Sequence, residues 1–226
     1  KRRPITGEKG IGRLAIAFSG GYDSSFLAKF AITTIGRENV MLFHVRSPFS
    51  PSRESFASAK FAKINRASLH IIRANPLDDE RISSNPGNRC YLCKKKIMGL
   101  IIEAARGRGI RSVADGSNLD DLADYRPGSK ACEELKILHP LTAAKLGKKE
   151  MIKISEAMNF NLSFCPSSSC LATRIPCGVK ITPDALKMSD KAENILRDIG
   201  IASPRVRVLC KTACIEVNPE FMNVIL

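Results

Sequence analysis

The chain is predicted to fold as an α/β protein with a doubly wound parallel sheet and a small α+β unit at its C-terminal side. Short apolar, β-branched runs alternate with helical patterns over the first two thirds of the sequence, which argues for a parallel sheet. The first run, residues 14–18, is followed at once by Ser19-Gly20-Gly21 and a helical pattern. After residue 182, one amphipathic pattern and two short β-type runs predict the smaller unit. Composition shifts at Phe164-Cys165-Pro166-Ser167-Ser168-Ser169-Cys170, so the expected domains are 1–164 and 165–226. A chain of 226 residues can bury one good core, or one domain with an appendage.

The elements follow in order. Leu14-Ala15-Ile16-Ala17-Phe18 reads as a buried strand, and Phe26, Leu27, Phe30 and Ala31 place a helix after the turn. Val40-Met41-Leu42-Phe43-His44-Val45 is a second strand, ended by Ser47-Pro48. Residues 53–66 carry Phe56, Ala59, Phe61, Ala62 and Ile64 at helical spacing, and Leu69-His70-Ile71-Ile72 is a third strand. A loop from Asn75 to Asn88 delivers Cys90-Tyr91-Leu92-Cys93, with a helix expected from Lys94 to Arg106. Ser112-Val113-Ala114 is a short strand leading into a polar, turn-rich stretch at 115–128. Lys148 to Met158 reads as a helix, and so do residues 183–198. Two strands, 206–209 and 213–217, complete the smaller unit. The chain stops at Val224-Ile225-Leu226 without a polar end, so further residues are expected.

Hydrophobic content of 44% with 26% charged residues is that of a soluble globular protein. No apolar run is long enough to span a bilayer, and Lys1-Arg2-Arg3 is not followed by an apolar signal segment. A cytoplasmic protein without a membrane partner is expected. The formal charge is +14, from 36 Lys and Arg against 22 Asp and Glu. That charge suits nucleic acid or phosphorylated small molecules alike. The basic residues are scattered and aromatic residues make up only 6%, which disfavours a nucleic-acid partner. Eight cysteines without a secretory signal point to metal, cluster or thiol chemistry rather than a disulfide framework.

The strand–glycine turn–helix sequence is where a parallel sheet presents its ligand site. Two glycines let a ligand approach the backbone, and N–H groups at a helix start attract an anion. No Gly-Lys-Ser/Thr follows, so this is not the common P-loop. Ser19-Gly20-Gly21-Tyr22-Asp23-Ser24 resembles instead the pyrophosphate loop of ATPases that adenylate a substrate and release pyrophosphate, a fold of the adenine nucleotide alpha hydrolase type. The resemblance implies that Ser19, Gly20, Gly21, Ser24 and Ser25 hold the β- and γ-phosphates of ATP and that Asp23 helps place Mg²⁺. A Gly-Gly turn with an Asp or Ser cap is the plainer alternative. Gly116 would permit close approach of the nucleotide. Asp120, Asp121 and Asp124 offer hard oxygen ligands for Mg²⁺, although Asp also simply favours loops. His44 lies near the adenine side, where a lone histidine is more often structural.

Five stretches together, SGGYDSSFL (19–27), NPGNRCYLCKK (85–95), DGSNLDDLADYRPGSKA (115–131), CLATRIPCGVKIT (170–182) and PRVRV (204–208), resemble the LarE family in order and over nearly the whole chain. These are ATP-dependent sulfurtransferases that make the thiolated pyridinium ligand of the nickel-pincer nucleotide used by lactate racemase. The resemblance implies an ATP-dependent sulfur insertase that adenylates a carboxylate of pyridinium-3,5-biscarboxylic acid mononucleotide and converts it to a thiocarboxylate. It also implies assembly as a hexamer. The family's usual extra C-terminal segment is not in this sequence. A tRNA thiolase with the same loop is the alternative; it would explain the charge, but no appended RNA-binding module is recognisable.

Cys170 follows a serine-rich turn, and Arg174 nearby would stabilise its thiolate, the reactive form. Such a thiolate can attack an acyl-adenylate; a buried structural cysteine is the alternative. In the family the cysteine here bonds to substrate, and in some members gives up its own sulfur to become dehydroalanine. Cys90 and Cys93 form a C-x-x-C, which alone can bind zinc, act as a redox pair or join an iron–sulfur cluster. Family members lacking the pair are the sacrificial type; its presence implies a 4Fe-4S cluster held by Cys90, Cys93 and Cys170, with sulfide or another donor supplying sulfur. Cys165 and Cys177 are rival ligands. Arg205 and Arg207 alternate on a strand and so share a face, as paired guanidinium groups for a phosphate monoester would. In the family the equivalent arginines hold the substrate phosphate, helped by Thr173 and Arg174. Glu193 lines the same pocket or lies on a solvated helix face, and Lys94 neutralises phosphate charge or lies at the surface.

Overall fold

The computed structural model describes residues 12–123, 127–162, 169–209 and 212–225. Strands and helices alternate first as β1 (Leu14–Ala17), α1 (Tyr22–Ile35), β2 (Val40–Arg46), α2 (Ser52–Asn65) and β3 (Ser68–Arg73). A short α3 (Glu80–Ser83) and the long α4 (Arg89–Arg106) lead to β4 (Ser112–Asp115). Then come α5 (Pro127–Glu134), α6 (Pro140–Ala143) and α7 (Lys148–Ala157). Farther on lie α8 (Pro183–Asp198), β5 (Arg205–Leu209), β6 (Thr212–Glu216) and α9 (Met222–Ile225).

The first four strands form one parallel sheet in the order β3-β2-β1-β4. Parallel strands covered on both faces must be apolar throughout, and β1 reads Leu-Ala-Ile-Ala. Alternate side chains go to opposite layers. Leu14 and Ile16 pack with Phe26 and Leu27 of α1, Phe61 of α2 and Met151 of α7. Ala15 packs the other way, with Phe43 of β2, Val113 of β4 and Met98 and Ile101 of α4. The sheet is therefore doubly wound, as expected. The chain leaves β1 towards β2 and returns to the other side of β1 as β4, so the topological switch lies between the carboxyl ends of β1 and β4.

β5 and β6 pair antiparallel, with Arg205 opposite Glu216 and Arg207 opposite Cys214. The boundary expected at residue 164 falls outside the described residues. A third apolar cluster nevertheless draws from both sides of it: Phe49 and Ile82 pack with Leu171, Ala172, Ile175, Ile181 and Leu186. The segment around Cys170 is thus seated on the parallel-sheet part by burial of apolar surface, the strongest general cohesive force available.

Two elements differ from the sequence expectation. α4 begins at Arg89 rather than Lys94, so Cys90 and Cys93 lie in its first turn instead of at a loop end. Asn88 is its N-cap, and the Arg89 N–H is already bonded to the Pro86 carbonyl in the preceding turn. The stretch at 115–128 also ends in a helix, α5, which buries Ala131 and Cys132 against α4. Among the described residues no helix is long and apolar enough to cross a membrane.

Candidate active site

Gly20 has a φ of +88°, and a Cβ there would lie 2.6 Å from the Glu54 carbonyl oxygen. Only glycine fits that turn. Gly21, the N-cap of α1, has no side chain with which to close the helix start. The Ser19 hydroxyl accepts from the Gly21 N–H at 3.1 Å and lies 3.1 Å from the Ser24 hydroxyl. Ser25 is fully buried, and its hydroxyl has no hydrogen-bond partner among the described residues. Asp23 opens α1 and accepts from Asn118 Nδ2 at 3.2 Å. Serine hydroxyls, a glycine turn and a helix start thus meet at the carboxyl end of β1, an arrangement suited to an anion. Buried His44 braces this turn from β2, with Nδ1 2.9 Å from the Phe18 carbonyl and Nε2 3.1 Å from the Ser55 hydroxyl.

Across the switch point, β4 ends on Asp115. His139 Nδ1 lies 2.7 Å from its Oδ1, and Lys94 Nζ lies 3.1 Å from its Oδ2. Burial alone would raise this carboxyl, but the His139 hydrogen bond and the Lys94 and His139 charges outweigh it and hold it below the ordinary range. The same hydrogen bond raises His139. Lys94 is therefore not a plain surface lysine; it is tied to Asp115. A Cβ on Gly116 would lie 2.8 Å from the Ser24 backbone nitrogen, so its missing side chain lets β4 press against the start of α1, beside the glycine turn.

Two carboxylates of the acidic loop accept backbone hydrogen bonds. Asp120 accepts from the Lys148 N–H at 2.8 Å, at the start of α7, and Asp121 accepts from the Asn118 N–H at 3.0 Å. Asp124 lies outside the described residues.

Cys90 and Cys170 are exposed and Cys93 is half-buried. Burial pushes the Cys93 thiol up to about 12, with the charges of Cys170 and Cys90 adding to the rise. The protein packed around the Cys170 sulfur raises that thiol too; the Ala172 N–H and Arg89 oppose the rise, while Cys90 and Glu54 add to it. The three thiols therefore share one neighbourhood. Among the described residues no group of three or more His, Cys, Asp or Glu is arranged to hold a metal ion. Soft thiolates are nonetheless the donor set an iron–sulfur cluster takes. Cys177, a rival ligand, is exposed with its thiol 3.6 Å from the Asn85 carbonyl, and Cys165 lies outside the described residues.

Beside Cys170 opens a cavity of about 350 Å³, lined by Ser169, Arg174, Arg197, Ser203, Arg205 and Glu216 among others. Arg205 reaches it. Arg207 does not line it; its guanidinium pairs with Glu216 and donates to the Thr173 carbonyl at 2.9 Å. Glu193 is fully buried, which overturns the solvated-face alternative. It holds Arg174 at 2.5 Å and Arg197 at 3.1 Å, and accepts from the Val206 N–H at 3.1 Å. Burial would raise this carboxyl, yet these donors hold it low. The expectation that Arg174 stabilises the Cys170 thiolate also changes, because Arg174 Nη1 donates to the Ser169 and Thr173 hydroxyls at 2.7 Å and the rest of the group faces Glu193. The guanidinium that bears on Cys170 is that of Arg89.

Sequence reasoning missed Arg89, Asn85, Arg197, Ser169 and the Asp115–His139 pair as parts of the site. Arg89 and Asn85 lie inside the stretch NPGNRCYLCKK, but their partners are some 90 residues away. Local spacing does not reveal such pairs.

No family model matches the chain. It is 34% identical over 210 residues to the uncharacterised protein slr1717 of Synechocystis sp., covering 93% of this chain and 78% of that one. It is 29% identical over 212 residues to the pyridinium-3,5-bisthiocarboxylic acid mononucleotide synthase of Lactiplantibacillus plantarum, covering 94% and 76%. A shorter stretch of 71 residues is 41% identical to the glutamine-dependent NAD(+) synthetase of Aquifex aeolicus, 31% of this chain and 12% of that enzyme.

Proposed function

The chain belongs to the same family as the uncharacterised protein slr1717 of Synechocystis sp., and from that premise we propose that it is a LarE-like, ATP-dependent sulfur insertase acting on pyridinium-3,5-biscarboxylic acid mononucleotide. The observation that carries the reading is that Arg89 joins the Cys90 segment to the Cys170 segment while an arginine-lined cavity opens at Ser169. Glu54 links the Cys170 segment to the glycine turn: its carbonyl packs on Gly20, and its carboxylate charge bears on Cys170.

In this reading Ser19, Gly20, Gly21, Ser24 and Ser25 hold the β- and γ-phosphates of ATP at the start of α1. Asp23 holds Mg²⁺, to which a carboxylate is a suitable hard ligand. The substrate phosphate enters the 350 Å³ cavity and meets Arg205 and Arg197, while Arg207, Thr173 and Arg174 fix its wall. Arginine forks bind phosphate in two-pronged fashion. A ring carboxylate oxygen attacks the α-phosphorus, pyrophosphate leaves, and an acyl-adenylate forms. Sulfur then attacks the acyl carbon, the acyl–oxygen bond breaks, and AMP carries that oxygen away, leaving a thiocarboxylate. Lys94, held by Asp115 at the switch point, supplies positive charge on the side where phosphate charge accumulates.

Cys90, Cys93 and Cys170 would be the protein ligands of a 4Fe-4S cluster, whose chemistry is to carry a sulfide from an external donor. The chain's own part would be to bring the three thiols to one centre; Cys93 is already half-buried.

The test is anaerobic incubation with ATP, Mg²⁺, the biscarboxylic mononucleotide and sulfide, with AMP, pyrophosphate and thiocarboxylate measured. AMP release dependent on the mononucleotide, with a product heavier by the exchange of oxygen for sulfur, is expected. No AMP release with this substrate overturns the proposal.

A further inference from the structure

Asn85 and Arg89 join the two cysteine-bearing segments. Asn85 is buried with a φ of +60°, a left-handed conformation that Asn tolerates better than most residues. Its Nδ2 lies 2.6 Å from the Pro176 carbonyl, 3.1 Å from that of Val179 and 3.3 Å from that of Ile175. Its own carbonyl accepts from the Gly178 N–H at 2.9 Å. One residue thus grips the whole turn that follows the Cys170 segment. The side-chain oxygen is left for Arg89, whose Nη1 lies 2.5 Å away. The same Nη1 donates to the Ala172 carbonyl at 2.9 Å, two residues beyond Cys170. The other prong, Nη2, lies 3.3 Å from the Cys90 sulfur.

We propose that Asn85 and Arg89 are positioning residues that set the spacing of Cys170 from Cys90 and Cys93, with the Arg89 guanidinium as the bridge between the two segments. This rests on the sulfur-insertase reading for its purpose but not for its geometry. Each end of the bridge starts from a different part of the chain: α4 carries Cys90 and Cys93, and the 3₁₀ turn Leu171–Arg174 follows Cys170. Without the bridge, the apolar cluster still seats the turn but has no directional bond to Cys90. A guanidinium reaches two acceptors in a fixed plane; an ammonium cannot reproduce that fork.

The experiment uses the full chain, reduced and metal-free, with the short bis-thiol cross-linker dibromobimane. Peptides joining Cys170 to Cys90 or Cys93 are followed by mass spectrometry. Wild type is expected to cross-link readily, Arg89→Met about tenfold more slowly, and Arg89→Lys in between. Labelling of buried Cys132 is the control for general loosening, and it is expected to stay at the wild-type rate in both variants. Wild-type cross-linking in Arg89→Met overturns the proposal. If Arg89→Met does not fold, Arg89→Lys decides: slowed cross-linking with Cys132 still protected supports the bridge, and an unchanged rate overturns it. None of these readouts requires ATP turnover, so a failure of the sulfur-insertase reading leaves them standing.

Discussion

At position 54 a carboxyl sits between opposing influences. Burial raises Glu54 from 4.5 to about 7, Arg197 opposes the rise and Asp190 adds to it. A carboxyl raised in the folded state binds its proton more tightly there than in the unfolded chain. Its contribution is therefore fully present below 4.5 and is lost as pH rises to about 7. A shift of that size corresponds to about 3 kcal/mol. Glu54→Gln is expected to flatten this dependence, raising Tm at about pH 8 while leaving it nearly unchanged at about pH 4. Parallel Tm profiles for variant and wild type would contradict the assignment. The cavity yields a second expectation. Arg205→Ala should raise KM for the mononucleotide far more than for ATP, by the loss of a charged hydrogen bond of about 1.5–3 kcal/mol. Equal KM changes for the two substrates would show that Arg205 does not read the phosphate. Glu193 illustrates what was not legible in advance at this scale. The sequence left a solvated helix face open, although the residue lies two turns beyond buried Leu186 on the inner face of α8. What makes that burial tolerable is Arg174, which local spacing does not reveal.

Elements were legible where one property repeated. The central strand β1 is apolar along its whole length because both faces are covered, and that pattern survives in the sequence. The start of α4 was not, because Pro86-Gly87-Asn88 extends a polar loop up to the first helical residue, and Arg89 carries no helix-start pattern of its own. Its consequence is functional: Cys90 and Cys93, three residues apart, share one face of the first turn instead of hanging in a loop. The start of α1 was read correctly as an element, and its prediction belongs here. Asp23→Ala should abolish ATP-dependent pyrophosphate release while circular dichroism stays that of wild type. Asp23 is half-buried in the first turn of α1, and α1 is anchored independently by Phe26, Leu27 and Ala28. Unchanged pyrophosphate release would remove Asp23 from the reaction.

Over the whole molecule, the proposed reaction turns on the source of its sulfur. The segment after Cys170 is packed against Phe49 and Ile82, and Cys93 packs against the same cluster, so the two halves of the chain meet beside Cys93. Cys93 is raised to about 12 by burial and by the other two thiols, so three simultaneous thiolates would repel one another in the free protein. A cation or cluster bound by all three removes that repulsion. Two routes then differ in product count. If Cys170 gives up its own sulfur, its thiolate forms a thioester with the activated carboxylate as AMP leaves. A base next removes the Cα proton, the Cβ–sulfur bond breaks, and dehydroalanine remains at 170 beside one thiocarboxylate per chain. If sulfide is the source, Cys170 is unchanged and product accumulates past one per chain. The second outcome is expected. Wild type reconstituted anaerobically with iron and sulfide should contain iron and acid-labile sulfide, keep the full mass of Cys170 and turn over repeatedly. The double variant Cys90→Ala/Cys93→Ala should lose the iron and stop at one product per chain or fewer. Repeated turnover by the iron-free double variant, or a Cys170 lighter by one H₂S in wild type after turnover, would assign the sulfur to another source.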